Sequence, residues 1–195
     1  DYADTYNNRA AAHERKGLWD LALADANEAI RRIPTFAEAY NCRGSVYKNN
    51  GLADQALAEF NRAIALKPFY AAAYSNRAAV YEIKGLLEEA LKDSSRAIEL
   101  QPDLAEAYNN RGVVYEKAGL LDKAIVDYTR TIELNPDFIS GYSNRASVLI
   151  KKGLLPLALA DCEKVIQLDP GSERARNNRA VVLEMLKQAG SNGKS

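Results

Sequence analysis

An asparagine followed by an arginine recurs along this chain every 34 residues. It stands in YNNRAAAH from Tyr6, YSNRAAVY from Tyr74, YNNRGVVY from Tyr108, YSNRASVL from Tyr142 and RNNRAVVL from Arg176. In YNCRGSVY, from Tyr40, Cys42 takes the asparagine's place. A carboxamide offers one acceptor and two donor hydrogens, which is what the backbone of an extended peptide can pair with. A guanidinium offers a planar fork of donors that matches a carboxylate. Neither group is a nucleophile or a general base. The groups that could be are sparse and isolated. His13 is the single histidine, so no His-based metal site can form. Cys42 and Cys162 have no CxxC or Cys-His company. They read as free thiols in a reducing compartment. No catalytic constellation, metal site or cofactor motif is present, and the chain reads as a non-enzyme.

The elements that must position these groups follow from the same interval. Proline falls at Pro34, Pro68, Pro102, Pro136 and Pro170, and glycine at Gly17, Gly51, Gly85, Gly119 and Gly153, each glycine followed by leucine. Glycine takes the left-handed conformation that ends a helix at little cost, and proline closes the next helical stretch. Each interval is therefore helix, tight turn, helix, and the fold class is all-α. Five units are expected over 3–36, 37–70, 71–104, 105–138 and 139–172. A capping helix follows over 173–189, then a polar, disordered tail over 190–195. The chain lacks an initiating Met and opens inside a unit, which reads as a piece of a longer protein.

Counting positions 1–34 within a unit, 4, 8 and 11 share one face of the first helix at helical spacing. Position 4 is tyrosine in all five units, position 8 is Ala or Gly, and position 20 in the second helix is always alanine. No unit can bury this face alone, so neighbours must stack. Small residues at 8, 20 and 27, large ones at 4, 11 and 24, and proline at 32 resemble the tetratricopeptide repeat (TPR) signature. The resemblance covers nearly the whole chain. Ala26, Ser94 and Cys162 depart from it at position 24, as do Thr131 and Val165 at position 27. It implies a right-handed α-solenoid of helix-turn-helix repeats, whose first helices line a concave groove, and a protein that binds rather than catalyses.

Helical angles separate the Asn from the Arg. Position 6 lies about 200° around from position 4, away from the buried stripe. This places Asn8, Asn76, Asn110, Asn144 and Asn178 on the groove face, with Asn41 and Asn109 beside them from position 5. One reading makes these amides a ladder for the backbone of an extended peptide. The other has them bonding between adjacent first helices or facing water. The ladder is similar to one in the TPR arm of O-linked GlcNAc transferase, which uses groove asparagines on peptide backbone. Position 7 lies about 60° from the buried stripe, and position 23 is acidic in every full unit. Structural ion pairs are expected between Arg43, Arg77, Arg111 and Arg145 and the acids Glu59, Asp93, Asp127 and Asp161. Such pairs, if half-exposed, contribute about 0–1 kcal/mol each.

Lysine plus arginine and aspartate plus glutamate balance at 26 each. That leaves no basic footprint for nucleic acid. No apolar run has the ~18 residues of a membrane span. A cytoplasmic scaffold that binds a protein or peptide partner is the expectation. Its alternatives are self-association through open solenoid ends, a substrate-recruiting arm of a larger enzyme, and a clamp for chaperone C-terminal tails. The last needs groove cations, and only the position-6 asparagine of that signature is present.

Overall fold

The computed structural model describes residues 2–192. Among these residues there are eleven helices and no β-strand. They are α1 (Tyr2–Arg15), α2 (Trp19–Arg32), α3 (Ala37–Asn49), α4 (Ala53–Leu66), α5 (Ala71–Ile83), α6 (Leu87–Leu100), α7 (Ala105–Lys117), α8 (Leu121–Leu134), α9 (Ile139–Lys151), α10 (Leu155–Leu168) and α11 (Glu173–Asn192). The chain is an all-α repeat of helical hairpins. Helix α11 continues through Asn192, where the sequence suggests a tail beginning at residue 190. The rest of that expected tail, 193–195, lies outside the described residues.

The hairpin turns have a common cause. Gly51 sits at φ +76°, a conformation glycine takes without a steric penalty. Its N–H bonds the Lys48 carbonyl at 3.0 Å, and the Leu52 N–H reaches back to Tyr47 at 2.9 Å. This is the Schellman arrangement, which satisfies the last carbonyls of the helix. Proline then blocks extension of the second helix: α4 ends at Leu66 and is capped by Lys67, whose N–H bonds the Ala63 carbonyl at 2.9 Å, with Pro68 next.

The chain divides into two compact units, Asp1–Ala107 and Tyr108–Ser195. In the first, consecutive helices from α1 to α6 pack pairwise, and α1 also touches α3 and α3 touches α5. The even helices do not touch one another among the described residues. The odd helices therefore crowd together on one side of the stack. In the second, α8 to α11 pack in the same order, with α9 touching α11. Alanines dominate the seams, and a few large side chains fill them: Phe60 with Val80 in the first unit, Tyr128 with Val148 in the second.

The departures at position 24 have a steric explanation. Gly44 faces Phe60, and a Cβ there would lie 2.6 Å from the ring; Gly112 stands in the same relation to Tyr128, also at 2.6 Å. Where position 24 is small, position 8 carries the methyl instead: Ala10 with Ala26, Ala78 with Ser94, Ala146 with Cys162. An aromatic ring at position 24 thus stands only opposite a glycine at position 8, as a close-packed interior requires. Overpacking costs about 1–3 kcal/mol, and only about 1 kcal/mol returns from replacing a helical glycine by alanine. Gly44→Ala should therefore lower stability in urea unfolding. Adding Phe60→Ser should give a double mutant more stable than the two single losses sum to. Simple additivity would show that the two positions do not share this space.

Candidate functional site

The arginine row is built by the first helix of each hairpin and its acceptors by the second. Arg77 on α5 grips Asp93 on α6 with Nε and Nη2, at 2.6 and 2.9 Å. Arg43 holds Glu59, Arg111 holds Asp127 and Arg145 holds Asp161 by the same fork. Arg9 holds Asp25 at 2.7 Å through both nitrogens. The free Nη1 reaches backwards to the preceding hairpin: Arg43 to Asn27 at 2.8 Å, Arg77 to Asn61 at 2.6 Å, Arg145 to Thr129 at 2.9 Å. Each of these arginines therefore ties its own two helices and the previous second helix together. The guanidinium also lies over the position-4 ring, Arg77 over Tyr74 at 5.4 Å and Arg43 over Tyr40 at 5.4 Å. The carboxylates are less exposed than the sequence suggests, with the Asp93 side chain only 6% exposed. Burial opposes the charge on Arg77, but its bonds to Asp93 and the attraction of that carboxylate outweigh it and raise its pKa.

The position-4 tyrosines have a second partner. Tyr40 donates its hydroxyl to the Pro34 carbonyl at 3.1 Å, and Tyr74 to Pro68 at 3.3 Å. Arg176, which stands at this position on α11, makes the equivalent bond to the Pro170 carbonyl.

The asparagines face the other way and bond to one another. Asn76 donates Nδ2–H to Asn41 Oδ1 at 3.1 Å, and Asn144 donates to Asn109 Oδ1 at 3.2 Å. The donor is position 6 of one hairpin, and the acceptor is position 5 of the hairpin before. Asn76 also borders a concavity of about 240 Å3 with Ala72, Ser75, Leu104 and Glu106. Asn8 is exposed on α1, and Asn110 and Asn178 are half-buried on α7 and α11.

One rung is broken. The donor due to Asn7 would stand at position 42, where the residue is Cys42, and Asn7 Oδ1 is buried without a hydrogen-bond partner. The Cys42 thiol lies 3.9 Å from Glu14 Oε2 instead. Although it stands at the groove position of α3, Cys42 is buried, packed with Ala10 of α1 and Ala26 of α2. Burial, the charges of Glu14 and Asp25 and the bond to Glu14 push the thiol up to about 12. Around it, burial raises the Glu14 carboxyl against the charge of Lys48 and a bond from Ser45, and burial lowers Lys48. Tyr70 is pushed up to about 12, chiefly by burial and by the charge of Glu38. His13 is not sealed in the core: its Nε2 lies 3.7 Å from Asp25 Oδ2. Among the described residues no group of three or more His, Cys, Asp or Glu could hold a metal ion.

Profiles of the tetratricopeptide repeat match residues 37–70 and 105–138, and a further TPR repeat profile matches 83–119. The chain belongs to the tetratricopeptide repeat family. No curated protein matches it in sequence at a significant level. TTC0263, a thermophilic TPR protein from Thermus thermophilus, superposes at a TM-score of 0.80 with 25% identity, covering 93% of this chain and 98% of that one. MamA superposes at 0.62 with 26% identity, over 87% of this chain and 92% of its own. YrrB, described as a TPR protein with an unusual peptide-binding site, shares the fold at 0.61 and 23% identity, over 90% of both chains.

Within this TPR framework two sets of residues escape a one-helix reading. The position-25 acceptors Asn27, Asn61 and Thr129 are polar in sequence, but only stacking reveals that each bonds the arginine sixteen residues further on. Lys48 is the one basic residue at position 12, where the others are acidic or Ile150. That signal could have marked the buried cluster with Glu14. Two outcomes follow. Arg77→Ala leaves the Asp93 carboxylate buried and unpaired, which should cost about 3 kcal/mol or more in denaturant unfolding, well above the surface-pair value. Cys42→Asn supplies the missing donor to Asn7 and should raise stability by about 1 kcal/mol, seen as a higher urea midpoint at an unchanged slope.

Proposed function

We propose that this TPR protein is an interaction scaffold that holds an extended segment of a partner polypeptide against the amide-bearing faces of its odd helices. The observation that carries this reading is the rung geometry. Asn76 and Asn144 each spend one N–H on a neighbouring amide. That bond fixes the side chain's orientation and leaves its Oδ1 and second N–H for a peptide backbone. Pre-orientation reduces the entropy lost on binding. Position 9 along the same face is Ala11, Ser45, Ala79, Val113, Ser147 and Val181, none larger than valine, which leaves room for a chain to lie close. Asn8, Asn41, Asn76, Asn109, Asn110, Asn144 and Asn178 are the residues assigned to it, as in an asparagine-ladder groove of the O-linked GlcNAc transferase type. The peptide-binding site ascribed to YrrB is consistent with such a use of the fold.

The arginine row belongs to the framework, since its donors are taken up by Asp93 and its counterparts. Backbone-directed amides give little side-chain discrimination, so partner choice rests on neighbours such as Glu106, which borders the same concavity as Asn76. Phage-displayed random peptides selected on the wild-type chain provide the probe. Asn76→Ala, Asn110→Ala and Asn144→Ala combined should weaken the selected peptides by about tenfold or more, equivalent to about 1.4 kcal/mol, while far-ultraviolet circular dichroism keeps its helical signal. Unchanged affinity in the folded triple variant would refute the ladder.

A further inference from the structure

Helix α11 carries the pattern of a first helix, and among the described residues no second helix folds back onto it. It carries the residues that elsewhere receive one: Arg179 at position 7, Ala180 at position 8 and Leu183 at position 11. In complete hairpins the alanine at position 8 is buried, as at Ala10, Ala78 and Ala146; Ala180 is exposed. Every other odd helix whose hairpin is complete turns at a glycine at position 15. Here that position is Lys187, and α11 runs on to Asn192. Among the described residues no later carboxylate meets Arg179 as Asp93 meets Arg77. Its guanidinium instead rests on Glu163 of the preceding helix, with Nε at 3.5 Å, and the two side chains are 45% and 54% exposed. A concavity of about 610 Å3 opens beside them, lined by Glu163, Ile166, Gln167, Arg176 and Arg179.

We propose that this face of α11 docks an amphipathic helix supplied by another polypeptide and carrying the pattern Ala-x-x-Asp or Ala-x-x-Glu. The chain itself states what fits. All five second helices present that pattern, from Ala22 and Asp25 to Ala158 and Asp161. In each, the alanine lies at the hairpin's tight seam and the acid takes the arginine fork. An incoming helix of this kind seats its alanine near Ala180 and returns a bidentate carboxylate to Arg179. Glu163 then takes the backward-facing Nη1, as Asn61 does for Arg77. A second folded copy does not satisfy the face, because each second helix in a copy is already covered by its own first helix. The exposed end of α1 offers another first helix and no free position-23 acid.

The α6 sequence, Leu87–Leu100, made as a fluorescent peptide, serves as the probe against the full chain. Anisotropy should show saturable binding that falls about tenfold or more with Arg179→Glu and with Ala180→Trp. Both positions are exposed, so melting curves should confirm intact folds. The peptide carrying Asp93→Arg should bind Arg179→Glu better than the wild-type chain. The triple asparagine variant should bind the α6 peptide like wild type, which separates this site from the ladder. Absence of saturable binding, wild-type affinity in both α11 variants, or no charge-swap rescue would overturn the proposal. So would sedimentation showing that the wild-type chain self-associates and that the α11 variants abolish it, because the occupant would then be a second copy.

Discussion

The fork between a position-7 arginine and a position-23 carboxylate fixes the relation between the two helices of a hairpin. It joins residues sixteen apart across the turn, such as Arg77 and Asp93, with two short bonds at a nearly buried carboxylate. A bidentate pair tolerates little sliding or rotation. Once it sets the hairpin's register, the tyrosine at position 4 lies under the guanidinium and meets the proline carbonyl before it. The remaining nitrogen then reaches the previous hairpin. Helix pairing, stacking and the orientation of the amide face follow from that one contact.

The amide face is the uncommitted product of this arrangement. Stacking brings position 6 of one hairpin against position 5 of the one before, so carboxamides meet in pairs such as Asn76 with Asn41. A pair held in this way is a rigid polar surface rather than a set of free rotors. The rung at Asn7 and Cys42 shows how local the pattern is. A single residue type removes the bond, buries a thiol and draws Glu14 and Lys48 into a low-dielectric cluster.

The helices were legible because their boundaries are local. Glycine at 15 and proline at 32 end helices whatever surrounds them, and the apolar spacing indicates which face turns inward. Partner identities were less legible. That Arg77 seeks an acid is readable from charge alone; that it also bonds Asn61 depends on how one hairpin sits on the last. The exchange of volume between Gly44 and Phe60 was visible only as an oddity at position 24, since its logic needs the distance between helices. The buried environment of Cys42 was obscured for a related reason. Helical angle gives a direction, but not how closely α1 and α3 approach along it. The length of α11 was underestimated because a polar, glycine-containing segment resembles a tail until its backbone is seen to continue the helix.

The glycine–aromatic and alanine–small pairings divide the hairpins into two interlocking types. Helices α3 and α5 follow the same repeat pattern, yet α5 put in the place of α3 as the hairpin partner of α4 would drive the Ala78 methyl into the Phe60 ring. Conversely, α3 set against α6 would leave a void opposite Ser94. Cutting and rejoining the chain at a hairpin's internal turn therefore mixes incompatible halves, whereas joining at the prolines keeps each matched pair together. The heritable unit of this chain, and the unit for building longer arrays from it, is the hairpin bounded by prolines rather than the single helix.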